Sequence, residues 1–218
     1  FLTVNTSSAN KRYYATPNYV SGTSLSPTLY FMNTLSYTNR VNRNEGFAAQ
    51  ASKPLYSSSY DRGEGYSTRS IRPVGSSCGQ GSFTVDLTDL KPYLAGPNMT
   101  LKVSAVGNAN NARKVKINLN GDSVDLFQMD YFYDKVDEIS GIPVSKIASG
   151  TASIQHINKS IVDCDEFILM KDELIYPRTL DCNNKTSLEL KLPLTFTGHY
   201  LKFYNLDRSS GGIPVLYD

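Results

Sequence analysis

The sequence has no tryptophan, only two histidines and only three cysteines among its 218 residues, and charged side chains make up only 19% of it. Because histidine and cysteine are so scarce, and because no His-x-His, HExxH or CxxC spacing occurs, the sequence predicts no metal site and no cofactor. A Gly-x-Ser-x-Gly nucleophile elbow is also missing, so no catalytic residues are predicted. These absences favour a protein that binds or assembles over an enzyme.

Charges of the two signs nearly cancel, since 22 lysines and arginines oppose 20 aspartates and glutamates for a formal net charge of +2. Such a balance creates no field that would attract nucleic acid or an anionic membrane surface. No apolar run reaches the length of a membrane-spanning helix, and membrane insertion is therefore not expected. The chain begins at Phe1 rather than at methionine, which indicates a processed mature form or a fragment.

What the sequence does contain is alternation of apolar and polar residues, most clearly in the stretch 82–124. The period of two that marks half-buried strands occurs over 83–87, 101–105 and 115–119. A polar loop separates the second strand from the third and predicts that these two pair as a hairpin. Asn120-Gly121 predicts a tight type I′ turn into a further strand, because that turn needs positive φ at both central positions. The stretch is therefore predicted to be a meander.

Further strands are predicted on both sides of this stretch, over 29–35, 154–162, 167–170, 188–194 and 200–206. One helix is predicted over 130–140, where Tyr131, Val136 and Ile139 have near-helical spacing. Because no long helices lie between the strands, we predict an all-β fold, a two-sheet antiparallel β-sandwich that is jelly-roll-like.

The ends of the chain suggest a division into parts. Residues 1–28 have many turn formers and little periodicity, and they predict an extended N-terminal arm that lies on a neighbouring subunit or domain. Residues 29–76 are predicted to be an N-terminal β portion and 77–218 the β-sandwich domain, with the Gly- and Ser-rich segment 75–81 at their boundary. The alternative is that both portions form one continuous domain.

The stretch 82–124 runs in the order of a strand, the segment DLTDLKPYL, a Gly/Pro/Asn turn, an apolar strand, a polar loop and a strand that ends in Leu-Asn-Gly. This order resembles the middle of galactose-binding-like jelly-roll domains. In that family, calcium and sugar sites lie in loops at one end of the sandwich. No loop of this chain is rich enough in carboxylates for such a site to be carried over.

The segment 55–74 contains Tyr56-Ser-Ser-Ser-Tyr60, a polar turn and then GYSTRSIRPV. It is similar to the closing strands of a repeat domain of Bacteroidota and Fibrobacter surface proteins, whose fold is C-type-lectin-like. Leu55-Tyr56 stands where that family has tryptophan, and Thr68 stands where it has valine. The resemblance implies a surface location and carries over no site residue.

One tight polar loop is the candidate binding site. It is flanked by two tyrosines whose rings could stack on sugar rings. The sequence therefore predicts a glycan-binding set of Tyr60, Asp61, Arg62, Glu64 and Tyr66. The alternative is an exposed turn whose tyrosines pack against the protein.

Other polar residues allow further sites. Carboxylates gather at Asp134, Asp137 and Glu138 and again at Asp163, Asp165 and Glu166, and a glycosidase needs only two carboxylates across a cleft. The alternative is that both groups are solvated, and His156 is predicted to occupy a surface position on a strand.

The cysteines predict one disulfide. Cys164 and Cys182 bracket a segment with two turn signals, and in an oxidising location they would close it. Cys78 would then be free or paired with a partner lost from this fragment.

A chain poor in charge and rich in tyrosine, serine, threonine and asparagine is typical of extracellular or particle-surface β proteins. The sequence favours a non-enzymatic structural protein, a subunit of an assembly such as a fimbria, a fibre, or a viral capsid or head decoration. Its partners would be copies of itself or a larger assembly, together with a glycan, at an extracellular, cell-surface or virion-surface location. The alternatives are a carbohydrate-binding module of a secreted protein and a glycan-active hydrolase.

Overall fold

A computed structural model describes residues 25–38, 42–43, 58–64, 66–193, 199–207 and 209. Its strands are, in chain order, β1 Phe31–Thr38, β2 Asn42–Arg43, β3 Tyr66–Ser67, β4 Phe83–Leu87, β5 Met99–Gly107, β6 Ala112–Leu119, β7 Asp122–Asp130, β8 Asp134–Ile142, β9 Ala152–Asn158 and β10 Phe167–Arg178. Two short 3-10 helices cover Ser58–Gly63 and Val144–Ile147. Within these described ranges, no helix has both the length and the apolar character that crossing a bilayer requires.

Eight of the strands form two four-stranded sheets in which all neighbours run antiparallel. The first sheet has the order β1-β10-β5-β8 and the second the order β4-β9-β6-β7, while β2 and β3 pair separately. Along these eight strands the chain changes sheet at every connection except the one between β6 and β7, which is the winding of a jelly roll. The predicted jelly-roll-like antiparallel β-sandwich is therefore confirmed.

The core lies between the two sheets, where alternate side chains of each strand meet. Most of these side chains are apolar and fully buried, among them Leu101, Val103, Val115, Ile117, Ile154 and Leu169. Burying one such side chain contributes roughly 1.5–3 kcal/mol. Packing between the inner faces is thus the main term that holds the two sheets together.

A β-bulge in β10 changes which of its residues face the core. Phe167 and Leu169 point inward, and the register against β5 shifts directly after Leu169. The extra residue, Met170, reverses the alternation, so that Asp172 also faces inward and is fully buried. Met170 itself packs in a separate small apolar cluster with Val106 and Ile168.

The predicted hairpin between the second and third strands of the stretch 82–124 is wrong, and so is the meander. The first of these strands, β5, pairs with β10 and β8, whereas the second, β6, pairs with β7 and β9 in the other sheet. The polar loop between them crosses from sheet to sheet. The predicted turn at Asn120-Gly121 is confirmed, since the two residues have φ of 49° and 89° and join β6 to β7.

The predicted helix over 130–140 is also wrong, because most of this segment is β8. Val136 and Ile139 have helical spacing, but the same residues fit a strand at the edge of a sheet. Cross-strand pairing settles the choice, since Lys102 of β5 forms a salt bridge of 2.9 Å with Glu138. A tertiary contact of this kind overrides a short local pattern.

Two other predicted strands do not form in the part of the chain that the structure covers. Residues 188–193 have no regular structure, and residues 199–206 contribute only isolated bridges, from Tyr200 to Pro27 and from Tyr204 to Asp181. The strand predicted over 167–170 is real and extends as β10 through Pro177 to Arg178. Proline is tolerated there because β5 pairs with β10 only up to Ile175.

The N-terminal strand belongs to the sandwich. All of β1 pairs with β10, from Phe31 opposite Arg178 to Thr38 opposite Lys171. Most of the predicted N-terminal arm, residues 1–24, lies outside the described residues. The end of the predicted arm contacts its own chain, since the Thr28 N–H donates to the Tyr200 carbonyl at 2.8 Å.

Candidate functional site

The predicted glycan-binding segment lies on the first sheet. The helix Ser58–Gly63 contacts β10, and Gly63 lies so close to Met170 that a Cβ at this position would be 3.1 Å from Met170 Cγ. The helix carries Asp61, whose side chain is exposed, and the backbones of Tyr60 and Arg62. The side chains of Tyr60 and Arg62 are outside the described part of the structure.

The other two predicted residues follow this helix directly. Glu64 is exposed, has a positive φ of 53° and donates its N–H to the Asp61 carbonyl at 2.9 Å. Tyr66 begins β3 and is half-buried. The structure therefore brings Asp61 and Glu64 together in one tight turn with Tyr66 close behind, while glycan binding itself stays a prediction.

The chain after this turn is fixed to β10. The Thr68 N–H donates to the Leu169 carbonyl at 2.8 Å, and the Leu169 N–H donates to Thr68 Oγ1 at 3.0 Å. Ile71 and Phe167 exchange two further backbone hydrogen bonds of 2.7 and 3.2 Å. The turn at 61–64 is thus held between a packed helix and a bonded strand.

The disulfide joins a different pair of cysteines from the predicted one. Cys78 is bonded to Cys164, with 5.3 Å between the Cα atoms, and the predicted pairing of Cys164 with Cys182 is wrong. Cys182 is a buried free thiol, and burial raises its pKa. The short sequence separation of Cys164 and Cys182 suggested the wrong pair. The segment 75–81 returns to the loop between β9 and β10 and places Cys78 next to Cys164.

Asp163 holds the two disulfide-linked segments together. Its Oδ1 accepts hydrogen bonds from Ser76 Oγ at 2.7 Å and from the N–H groups of Ser77 and Cys164 at 3.0 Å each, and its Oδ2 accepts one from Ser77 Oγ. The Ser77 hydroxyl, followed by these other donors, lowers the pKa of the exposed Asp163 carboxyl to about 2. The carboxylate therefore fixes the two segments to each other.

Asp165, two residues further on, forms a fully buried ion pair with Arg113. Arg113 Nε lies 2.9 Å from Asp165 Oδ2, and neither side chain has any exposed surface. The remaining guanidinium donors reach the carbonyls of Tyr131, Ala109 and Asn111 at 2.8 to 3.0 Å. Such complete hydrogen bonding is what a buried charge pair requires, and the pair therefore ties three loops together at this end of the sandwich.

Further clustered carboxylates also have cationic partners. Glu166 pairs with Arg72 at 2.7 Å, and Asp137 pairs with Lys135 at 3.1 Å. Among the described residues, no group of three histidine, cysteine, aspartate or glutamate side chains could hold a metal ion. The first pair joins the loop after β9 to the segment before β4, whereas the second lies within β8.

The structure reveals one buried contact between two polar side chains that was not predicted from the sequence. His156, predicted to lie on the surface, is fully buried between the sheets, with Nε2 at 3.2 Å from Asp172 Oδ1. The alternation of β9 places Ile154 and His156 on the same face, which was the available signal. The position of Asp172 had no such signal, because it depends on the bulge at Met170.

No protein-family model and no curated protein matches this chain. Among solved structures, dimeric latent PorU from Porphyromonas gingivalis is similar at 11% identity and a TM-score of 0.47, over 74% of this chain and only 14% of that one. The carbohydrate-binding module CBM36 in complex with calcium and xylotriose is similar at 14% identity and a TM-score of 0.32, over 49% of this chain and 88% of that one. The CBM36-1 domain of a multidomain xylanase from the hindgut metagenome of Trinervitermes trinervoides is similar at 12% identity and a TM-score of 0.34. The match covers 50% of this chain and 84% of that one. At TM-scores this low, the similarities carry no inference about function.

Proposed function

We propose that this chain is a non-enzymatic β-sandwich domain of an extracellular or cell-surface protein, and that it binds a glycan through the turn at 61–64. The observation that carries the proposal is the turn itself, where two exposed carboxylates and a half-buried tyrosine follow one another on a segment fixed to the first sheet. The disulfide between Cys78 and Cys164 supports the location, because such bonds persist in oxidising compartments.

The chemistry of the turn suits a polyhydroxylated ligand. Carboxylates accept hydrogen bonds from sugar hydroxyls, and a tyrosine presents an apolar ring together with a hydroxyl group. A turn that is already held in place loses little conformational entropy on binding. Glycan binding at this turn would therefore not include a large free-energy cost for ordering the segment.

A glycan screen with the full chain, followed by titration of the best ligand, tests this proposal. Replacing Asp61 and Glu64 with alanine together should weaken binding by about tenfold or more, because a hydrogen bond to a charged group contributes roughly 1.5–3 kcal/mol. The matched control is Asp86→Ala, which removes an exposed carboxylate from β4 in the second sheet and should leave affinity unchanged. The glycan proposal fails if no glycan binds the wild-type chain or if the control loses as much affinity as the double variant.

A second function, membership of an assembly, is favoured by the edges of the sheets. Among the described strands, β7 and β8 each pair on one side only, and each is nine residues long. Long free edges are surfaces on which another chain can add a strand. The N-terminal residues of a neighbouring copy are the proposed occupant.

Analytical ultracentrifugation at micromolar concentration tests the assembly role. The full chain should sediment as an oligomer, and a variant without residues 1–24 should sediment as a monomer with an unchanged unfolding midpoint. A full chain that stays monomeric contradicts the assembly role and leaves the glycan proposal intact.

A further inference from the structure

The contact between His156 and Asp172 joins the two sheets through the core. His156 lies on β9 in the second sheet, Asp172 lies on β10 in the first, and both side chains are completely buried. Nε2 of His156 is 3.2 Å from Asp172 Oδ1, and Nδ1 is 3.3 Å from the carbonyl oxygen of Phe83 on β4. One imidazole ring therefore bridges strands of both sheets.

Both atoms that face this ring are hydrogen-bond acceptors when Asp172 is ionised. A neutral imidazole carries one N–H, so it can donate to only one of them, and its other nitrogen would direct a lone pair at an oxygen. A doubly protonated ring donates to both and neutralises the buried carboxylate. The geometry is thus satisfied by an imidazolium paired with a carboxylate.

Of the residues that pair with His156 and Asp172 across the described strands, only Tyr37 has an ionisable side chain. Tyr37 of β1 lies opposite Asp172, and burial, followed by the negative charge of Asp172, raises the pKa of its hydroxyl. Val103 of β5 also lies opposite Asp172, and Ile117 of β6 lies opposite His156, and both are apolar. Phe83 of β4 also lies opposite His156, and the Arg69 guanidinium lies over its ring, 5.6 Å from the centroid.

One atom of the pair is left without a partner. Asp172 Oδ2 is buried and has no hydrogen-bond partner among the described residues. A buried carboxylate with an unpaired oxygen depends strongly on the positive charge beside it. Loss of a single proton from the ring would remove that charge.

We propose that the His156–Asp172 contact is a proton-dependent cross-link between the two sheets. While the ring holds both protons, the cross-link closes the sandwich along the side formed by β1 and β4. When the second proton is lost, a carboxylate and a lone pair face each other in the core and the sheets are held less tightly.

Nitrogen-15 NMR of the native chain tests the protonation state directly. The sequence has only two histidines, and the second, His199, contacts solvent and serves as the internal reference. We expect His156 to show a directly bonded proton on both ring nitrogens at about pH 6, since a neutral ring shows one. A single N–H on His156 at this pH overturns the proposal.

Denaturant unfolding of the wild type and of Asp172→Asn at about pH 6 tests the cross-link. Asparagine keeps the shape of the side chain and removes its charge, so the doubly protonated ring would lose its counter-ion in the core. The unfolding equilibrium constant of the variant should exceed that of the wild type by about tenfold or more, because breaking a buried ion pair is strongly destabilising. Equal constants overturn the proposal, and the NMR measurement decides it if the variant does not fold.

Discussion

Reduction of the disulfide between Cys78 and Cys164 should lower the free energy of unfolding more than any other single change considered for this chain. The two cysteines are 86 residues apart, and the chain-entropy model gives about 4.6 kcal/mol for closing a loop of that size. The bond lies outside the sandwich core, between two surface segments that Asp163 also holds. We therefore expect the reduced chain to keep its fold with a much lower unfolding midpoint.

Denaturant unfolding with and without a dithiol reductant measures this effect. The control is the double variant Cys78→Ser and Cys164→Ser, which should unfold at the same lower midpoint in both conditions. Cys182→Ala supplies a second control, because this thiol is free and its variant should keep the full response to the reductant. A wild-type midpoint that does not respond to complete reduction would show that the disulfide adds nothing to stability.

Replacing Asp165 with alanine should have the next largest effect, a loss of about 3–5 kcal/mol in the free energy of unfolding. The reason is that Arg113 would keep its charge in a site with no exposed surface and no counter-ion. Asn158 would also lose its hydrogen bond of 3.0 Å to Asp165 Oδ2. Chemical unfolding of the variant, checked by circular dichroism for a native β spectrum, measures the loss.

A surface pair provides the matched control for Asp165. Asp122 and Lys146 lie 2.6 Å apart, but 68% of the Asp122 side chain is exposed to solvent. Asp122→Ala should therefore lower the free energy of unfolding far less than Asp165→Ala, because exposed ion pairs contribute little to stability. Equal losses for the two variants would contradict the view that burial sets the cost.

The strands were predictable because alternation is local. The inward face of β4 can be read from five residues, because Phe83, Val85 and Leu87 alternate with polar residues. The turn at Asn120-Gly121 can be predicted because both residues readily adopt the positive φ that a type I′ turn needs. Which strands become neighbours in a sheet could not be predicted in this way. Nothing in the pattern of β5 or β6 states which sheet the strand enters, since either hairpin pairing or crossing would bury the same residues.

The same distinction between local features and distant pairings applies to the candidate site. The turn at 61–64 could be predicted because its charges and flanking tyrosines lie next to one another in the sequence. The pairs Arg113–Asp165 and His156–Asp172 could not, because each joins residues of separate elements and depends on the inward direction of a polar side chain. The disulfide was missed for a related reason, since its partner comes from a segment far away in the chain.

The strand order has a consequence for how this chain reaches its native state. In each sheet one of the two inner strands comes last in the sequence, because β10 lies between β1 and β5 and β9 lies between β4 and β6. The ladder between β1 and β10 joins residues 31–38 to residues 171–178, so most of the chain must be present before the first sheet can close. Such distant pairings make folding slow, because the entropy of closing large loops is lost before the contacts that compensate for it form. A growing chain that ends before residue 167 lacks the strand that joins β1 to the rest of the first sheet.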